Sequence, residues 1–180
     1  AFNLIMSARV SNIEISSFLV ALSLKGIAHN ELLSAVKVLR AKSIKINTKG
    51  TIVDTCGTGG DKKRTLNIST ATAILAAASG VKVAKHGNKS VSSNSGSSDV
   101  LEKLGVNISA PKNKVEKCLE NSNLCFLMAP LYHKAMKNVA EVRSKLKIPT
   151  IFNLLGPLLN PANANIQLIG VYSYEWMLPI

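Results

Sequence analysis

Asp54-Thr55-Cys56-Gly57-Thr58-Gly59-Gly60-Asp61, followed after five intervening residues by Asn67-Ile68-Ser69-Thr70, decides the fold of this chain. The β-branched lead-in Thr51-Ile52-Val53 predicts a buried strand. Three glycines then fall within four residues, where a sheet would otherwise continue. Glycine allows positive φ and has no Cβ, so the backbone turns sharply and its N–H groups come close to a ligand. Ser69 or Thr70 is the expected cap of a helix that runs through Ser79 and stops at Gly80. Strand, glycine loop and helix N-terminus in that order make an anion site, because unpaired N–H groups and the helix dipole both favour negative charge. A phosphate-bearing ligand is expected there. The loop is neither a Walker A run nor a dinucleotide fingerprint, since the latter needs glycine where Lys62 stands.

Outward from this loop the chain alternates strands and helices. Val81 to Lys85 reads as a second strand ending in Lys85-His86-Gly87-Asn88-Lys89, and a serine-rich loop spans Ser90 to Ser98. A helix to Leu104, another opened by Pro111, a strand from Leu124 to Met128 and a strand from Ile166 to Val171 follow. This β-α-β order implies a parallel sheet with right-handed crossovers, whose ligands bind beyond the carboxyl ends of the strands. The Gly57 and Lys85 loops both leave strands at that end. They are expected to face one ligand.

Toward the N-terminus the pattern is purely helical. Phe2 to Met6 reads as a helix tail, and Ser11-x-x-Glu14 has capping-box spacing ahead of the stripe Ile15, Phe18, Leu19, Leu22, which Gly26 ends. Asn30 is the expected cap of a helix carrying Leu32, Ala35, Val36 and Leu39. Ala135, Val139, Val142 and Leu146 give a further amphipathic helix, and a helix start is expected near Ser173.

A length of 180 residues with 47% hydrophobic and 18% charged content fits a globular protein with a sizeable core. The longest apolar stretch, Ala71 to Ala78, is too short to span a bilayer, and no secretory leader pattern opens the chain. Cys56, Cys118 and Cys125 are spaced unlike metal ligands or a disulfide framework, so a reducing cytoplasm is expected. The net charge of +12 favours anionic partners, nucleic acid or phosphorylated metabolites, while 4% aromatic content leaves few platforms for stacking bases. The surplus alone does not choose between them.

Taken together, Gly57-Thr58-Gly59-Gly60-Asp61, Asn67-Ile68-Ser69-Thr70, Lys85-His86-Gly87-Asn88, Ser95-Gly96-Ser97-Ser98-Asp99, Ala135-Met136-Lys137-Asn138-Val139, Arg143 and Phe152-Asn153-Leu154-Leu155-Gly156-Pro157-Leu158 resemble the anthranilate phosphoribosyltransferase family, in its order and spacing. The resemblance covers essentially the whole chain. It implies a small helical domain plus a parallel-sheet α/β domain, the class IV phosphoribosyltransferase (nucleoside phosphorylase-like) fold, here C-terminally incomplete. The expected division is a helical domain over 1–46, an α/β domain over 47–130, a return to the helical domain over 131–159, and further α/β structure over 160–180. The implied reaction joins anthranilate to phosphoribosyl pyrophosphate, with Mg²⁺, in a homodimer formed through the helical domain. Nucleic acid is then not an expected partner.

The resemblance also implies roles. Gly57, Thr58, Gly59, Gly60, Asp61, Thr65, Asn67, Ser69, Thr70, Lys85 and Ser97 would bind phosphoribosyl pyrophosphate, with Ser69 also contacting the metal. Gly57, His86, Asn88, Arg143 and Pro157 would line the anthranilate path, and the guanidinium fork of Arg143 suits a carboxylate. His86 is the candidate general base, although an arylamine attacking ribose C1 needs none. Three departures stand out. The family's adjacent Asp-Glu pair, which holds Mg²⁺, is missing from the ten acids of this chain, so weak or no catalysis is expected of it alone. Tyr132-His133-Lys134 replaces the usual His-His-Pro, and Lys62-Lys63-Arg64 adds charge after the glycine loop. The alternatives are a nucleic-acid-binding relative on the same scaffold and a pyrimidine nucleoside phosphorylase-like enzyme.

Overall fold

A computed structural model describes residues 1–59, 66–89 and 96–180. Of the residues expected to bind ligand, Gly60, Asp61 and Thr65 lie outside the described residues, as do Lys62, Lys63 and Arg64 and positions 90–95 of the serine-rich loop.

Helices α1 (Phe2–Met6), α2 (Asn12–Lys25) and α3 (His29–Lys42) come first. The α2 capping box forms as its spacing predicts: Ser11 Oγ accepts from the Glu14 N–H, and the Glu14 carboxylate accepts from the Ser11 N–H at 2.7 Å. Gly26 ends the helix at φ +86°. Helix α3 starts at His29, not after an Asn30 cap, because the Glu31 carboxylate reaches back to the Ala28 N–H at 2.9 Å and also pairs with Lys25.

Four parallel strands form the sheet: β1 (Val53–Gly57), β2 (Val83–Gly87), β3 (Leu124–Met128) and β4 (Ile166–Gly170), in the order β3-β2-β1-β4. Strand β1 begins at the last residue of the expected Thr51–Val53 segment and runs through Gly57. The ladder with β4 sets these limits by pairing Val53 with Ile166 through to Gly57 with Gly170. Asn165 fastens the entry: its Oδ1 accepts from the Ile52 N–H and its own N–H donates to the Ile52 carbonyl, both at 2.9 Å. Strand β2 likewise runs past Lys85 to Gly87.

Helices α4 (Ile68–Ala78), α5 (Ser97–Lys103) and α6 (Lys112–Ser122) fill the crossovers. Helix α4 starts at Ile68, earlier by two or three residues than a Ser69 or Thr70 cap would put it. The Asn67 carbonyl already accepts from the Thr70 and Ala71 N–H groups, and Ser69 is engaged by the sheet, as described below. Odd-numbered residues of β1 and β2 face α4, where Ala73 and Ala77 pack on Val83. Even-numbered ones face the other way, where Ile52, Ala84, Cys125 and Leu127 pack on Val115 and Leu119 of α6.

A second core joins the helices. Ile15, Leu19, Leu32 and Leu39 pack with Val139 and Val142 of α8 (Lys137–Leu146) and with Phe152, Leu154 and Leu155 of α9 (Phe152–Leu155). Each such buried aliphatic side chain contributes about 1.5–3 kcal/mol in apolar burial. Tyr132, at the end of α7 (Ala129–Tyr132), packs with the sheet core instead, as does Ile46. The expected helix near Ser173 is one 3-10 turn, Tyr174–Trp176. A helical unit therefore sits beside a parallel α/β unit, and the 156–162 segment crosses between them. Among the described residues no helix is long and apolar enough to cross a membrane.

Candidate functional site

Strands β1 and β2 are parallel neighbours, so the Gly57 loop and the Lys85 segment leave the sheet on one side. Lys85 ties them together. Only 2% of it is exposed, and its ammonium donates to the Thr55 carbonyl at 2.7 Å and lies 3.2 Å from Ser69 Oγ. Thr55 Oγ1 donates to the Ser69 carbonyl at 2.7 Å, fixing the first turn of α4 against β1. Lys85 is thus a buried charge beneath the loop and not an exposed strand end. Burial lowers its pKa, and the attraction of Asp54, itself fully buried, opposes that shift. Cys56 beside them is pushed far up by burial and then by Asp54, which leaves it an unreactive thiol.

The glycine loop is more fully bonded than its sequence suggests. The Thr58 N–H donates to the Gly170 carbonyl at 2.9 Å, and Thr58 Oγ1 accepts from the Tyr172 N–H at 3.2 Å. Hence the Thr58 amide is spent on β4 and is not available to a phosphate. Gly59 takes φ +69°, and its amide has no acceptor among the described residues. Thr70 turns its side chain inward. Its hydroxyl is buried without a hydrogen-bond partner among the described residues, and the residue lines an apolar cavity of about 400 Å³ between α4, α5 and the sheet. Ser97 opens α5 against the end of β2, where a Cβ on Gly87 would stand 3.1 Å from the Ser97 Cβ. Asn88 is exposed just beyond β2, its Oδ1 accepting from the Lys89 N–H. Asn67 is half-buried directly ahead of α4.

On the opposite face of β2, His86 meets the helical unit. Its Nδ1 lies 3.1 Å from the Gly156 carbonyl, which only accepts, so Nδ1 carries the proton and Nε2 presents a lone pair. That Nε2 is buried with no partner among the described residues. The ring packs edge-on to His133, with centroids 5.2 Å apart. The Leu159 backbone favours protonation of His133, but neither of its ring nitrogens has a partner in hydrogen-bond geometry. Burial, then the neighbouring His133, brings the His86 pKa down to about 3, and burial brings His133 down to about 4. His86 is therefore a poor general base; it is a neutral acceptor and a wall of the site.

Both histidines are neutral when folded and protonate when unfolded below about pH 6.5. Their stabilising contribution is present above that pH and is lost as pH falls toward 4. Thermal melts should therefore lose stability between pH 6.5 and 5, at up to about 1.4 kcal/mol per pH unit for each histidine. A His133→Leu variant should show a flatter dependence, whereas equal slopes in the two proteins would contradict this assignment.

Arg143, on α8, is half-buried with its guanidinium 5.5 Å above the Phe152 ring. Burial alone lowers its pKa, and no carboxylate lies within 4.0 Å among the described residues. Phe152 and the Gly156-Pro157 turn belong to one short segment, so the cation and the His86 contact meet it from the helical unit and from the sheet. Gln167 also reaches this turn, and Asp54 holds Gln167. The sequence singled out neither, because their partners depend on β4 lying beside β1.

The described residues do not by themselves assemble a Mg²⁺ site. Ser69 Oγ shares its position with the Lys85 ammonium, a neighbour that repels a cation, and among the described residues no three His, Cys, Asp or Glu side chains cluster.

Comparison with known proteins adds independent findings. Residues 1–43 match the helical bundle domain of the glycosyl transferase family, and residues 49–180 match the family's a/b domain. An anthranilate phosphoribosyltransferase of Petrotoga mobilis is 52% identical over 100% of this chain and 53% of its own length. The crystal structure of anthranilate phosphoribosyltransferase from Thermus thermophilus superposes with TM-score 0.93 at 43% identity, over 99% of this chain and 54% of that one. The Saccharomyces cerevisiae enzyme in complex with PRPP and Mg superposes with TM-score 0.86 at 37% identity, over 93% and 48%. The chain spans about half the length of the curated relatives it matches.

Proposed function

Since this chain belongs to the glycosyl transferase family, in the branch whose members are anthranilate phosphoribosyltransferases, we propose that it forms the substrate-binding half of such an enzyme. Phosphoribosyl pyrophosphate binds at the ends of β1 and β2, and anthranilate binds between His86 and Arg143. The observation that carries this proposal is the bond of Lys85 to Thr55 and Ser69, which unites the two phosphate-facing segments. In the reaction the arylamine nitrogen forms a bond to ribose C1, the bond from C1 to the pyrophosphate oxygen breaks, and the nitrogen releases a proton.

The residues of the chain do this work by position and charge. Lys85 and the α4 N-terminus set a positive potential under the diphosphate, while Gly59, Asn67, Ser69 and Ser97 supply donors around it. Gly60, Asp61 and Thr65 are proposed to complete that set, with Thr70 behind them fixing the first turn of α4 through its N–H bond to the Asn67 carbonyl. Gly57 borders both substrates. Arg143 takes the anthranilate carboxylate, Asn88 and Pro157 flank its path, and neutral His86 offers Nε2 to the amine. Mg²⁺ would neutralise the leaving diphosphate, but this chain lacks the donors to hold it alone, and no step here relies on it. Turnover by the 180-residue chain is accordingly expected to be very weak. Free thiols at Cys56 and Cys125 support a reducing, cytoplasmic setting, and exposed Ile13 and Leu24 on α2 support pairing of two chains through the helical unit.

Anthranilate fluorescence titration of the chain in the presence of phosphoribosyl pyrophosphate tests the assignment. Arg143→Ala should weaken anthranilate binding about tenfold to a hundredfold, the range for losing a charge-assisted contact, while leaving the diphosphate ligand's affinity within about twofold. Equal anthranilate affinity in the variant would exclude Arg143 as its carboxylate partner.

A further inference from the structure

The Gly156-Pro157 turn comes from the helical unit, yet two side chains of the sheet hold it. His86 Nδ1–H donates to the Gly156 carbonyl at 3.1 Å, and Gln167 Nε2 donates to the Pro157 carbonyl at 2.9 Å. One buried carboxylate orients both donors. Asp54, 0% exposed, accepts from the His86 backbone N–H at 3.3 Å through Oδ1 and from Gln167 Nε2 at 3.2 Å through Oδ2. An amide nitrogen carries two hydrogens, so Gln167 satisfies Asp54 and Pro157 together. Register makes this possible: Asp54 pairs with Gln167 across β1 and β4, and β2 flanks β1 on its other edge. A few residues further on, Asn160 Nδ2 donates to the Ala84 carbonyl at 2.8 Å and continues the seam between the two units.

We propose that Gln167, oriented by Asp54, is a positioning residue that latches the 156–157 turn to the sheet and so sets the wall of the aromatic-acid subsite. The latch rests on the proposed function for its substrate, but not for its geometry. Gln167 touches neither reacting atom. It acts through Pro157 and, by way of Asp54, through His86. The hydrogen bonds of Gln167 run to Asp54 and Pro157 and not to the residues of the diphosphate side, on the other face of β2.

Three chains decide the matter: Gln167→Leu, which removes both donors at similar size; Gln167→Glu; and Gln167→Glu combined with Asp54→Asn. The double change restores a hydrogen bond between positions 54 and 167 but leaves the Pro157 carbonyl without a donor. Hydrogen exchange of the Leu158 and Leu159 amides should rise about tenfold in Gln167→Leu, as expected for losing bonds to two acceptors. Anthranilate affinity should fall about tenfold, with phosphoribosyl pyrophosphate affinity within about twofold. The double variant should regain the thermal stability lost by Gln167→Glu while its exchange stays fast and its anthranilate affinity stays low. Unchanged exchange in Gln167→Leu overturns the latch. A parental chain that binds no anthranilate, together with faster exchange in Gln167→Leu, refutes the proposed function and supports the latch.

Discussion

Gly87→Ala should lower the melting temperature by several degrees and displace Ser97 from the phosphate-facing end of β2. A Cβ built on Gly87 stands 2.8 and 3.0 Å from two carbons of the Phe126 ring and 3.1 Å from the Ser97 Cβ. The ring cannot simply swing away, because it is packed with Leu101, Ile108 and Met128. Overpacking of this kind costs about 1–3 kcal/mol, which corresponds to about 2–12 °C for a chain of this size. The less costly relaxation moves the start of α5, so diphosphate affinity should fall along with stability. Gly156→Ala is the control for the melt. Gly156 has helical φ and ψ, and a Cβ there meets nothing within 4 Å. Its melting temperature should be unchanged or slightly raised. A Gly87→Ala chain as stable as its parent would mean that β2 and α5 do not pack as described.

Lys85→Met carries the second large effect, and its signature is a separation of binding from stability. Methionine retains the apolar stem and removes the ammonium. The Thr55 carbonyl then loses a donor, at a cost of about 1–3 kcal/mol, but the cost of burying a charge disappears with it. Net stability should change little. The affinity for phosphoribosyl pyrophosphate should fall about a hundredfold, because a charge-assisted contribution of about 2–3 kcal/mol is lost from the anion site. A merely structural lysine would show the reverse pattern, with weakened folding and intact binding.

The sequence made the element types and their order legible because glycine loops, caps and apolar spacing are local signals. The Ser11–Glu14 box and strand β3 lie where those signals put them. What escaped was set by contacts distant in sequence. Strand β1 extends through Gly57 because β4, more than a hundred residues later, pairs with it along that length. Helix α4 starts at Ile68 because Thr55 and Lys85 claim Ser69. The Thr58 amide, expected to face a phosphate, donates to Gly170 for the same reason. His86 looked like a base on residue type alone; only its burial against Gly156 and His133 reveals a neutral ring. Gln167 had no local signal, since nothing in Ile166-Gln167-Leu168 says which strand it will lie beside. The site was legible where its motif is contiguous. It was hidden where the fold brings separate strands together.

The most direct test is calorimetric titration of phosphoribosyl pyrophosphate into the 180-residue chain and into Lys85→Met at the same low ionic strength. Saturable binding at one site per chain, weakened about a hundredfold in the variant while both proteins melt at similar temperatures, is the predicted result. Equal affinity in the two proteins, or no binding by the parent, would contradict a shared diphosphate site at the ends of β1 and β2.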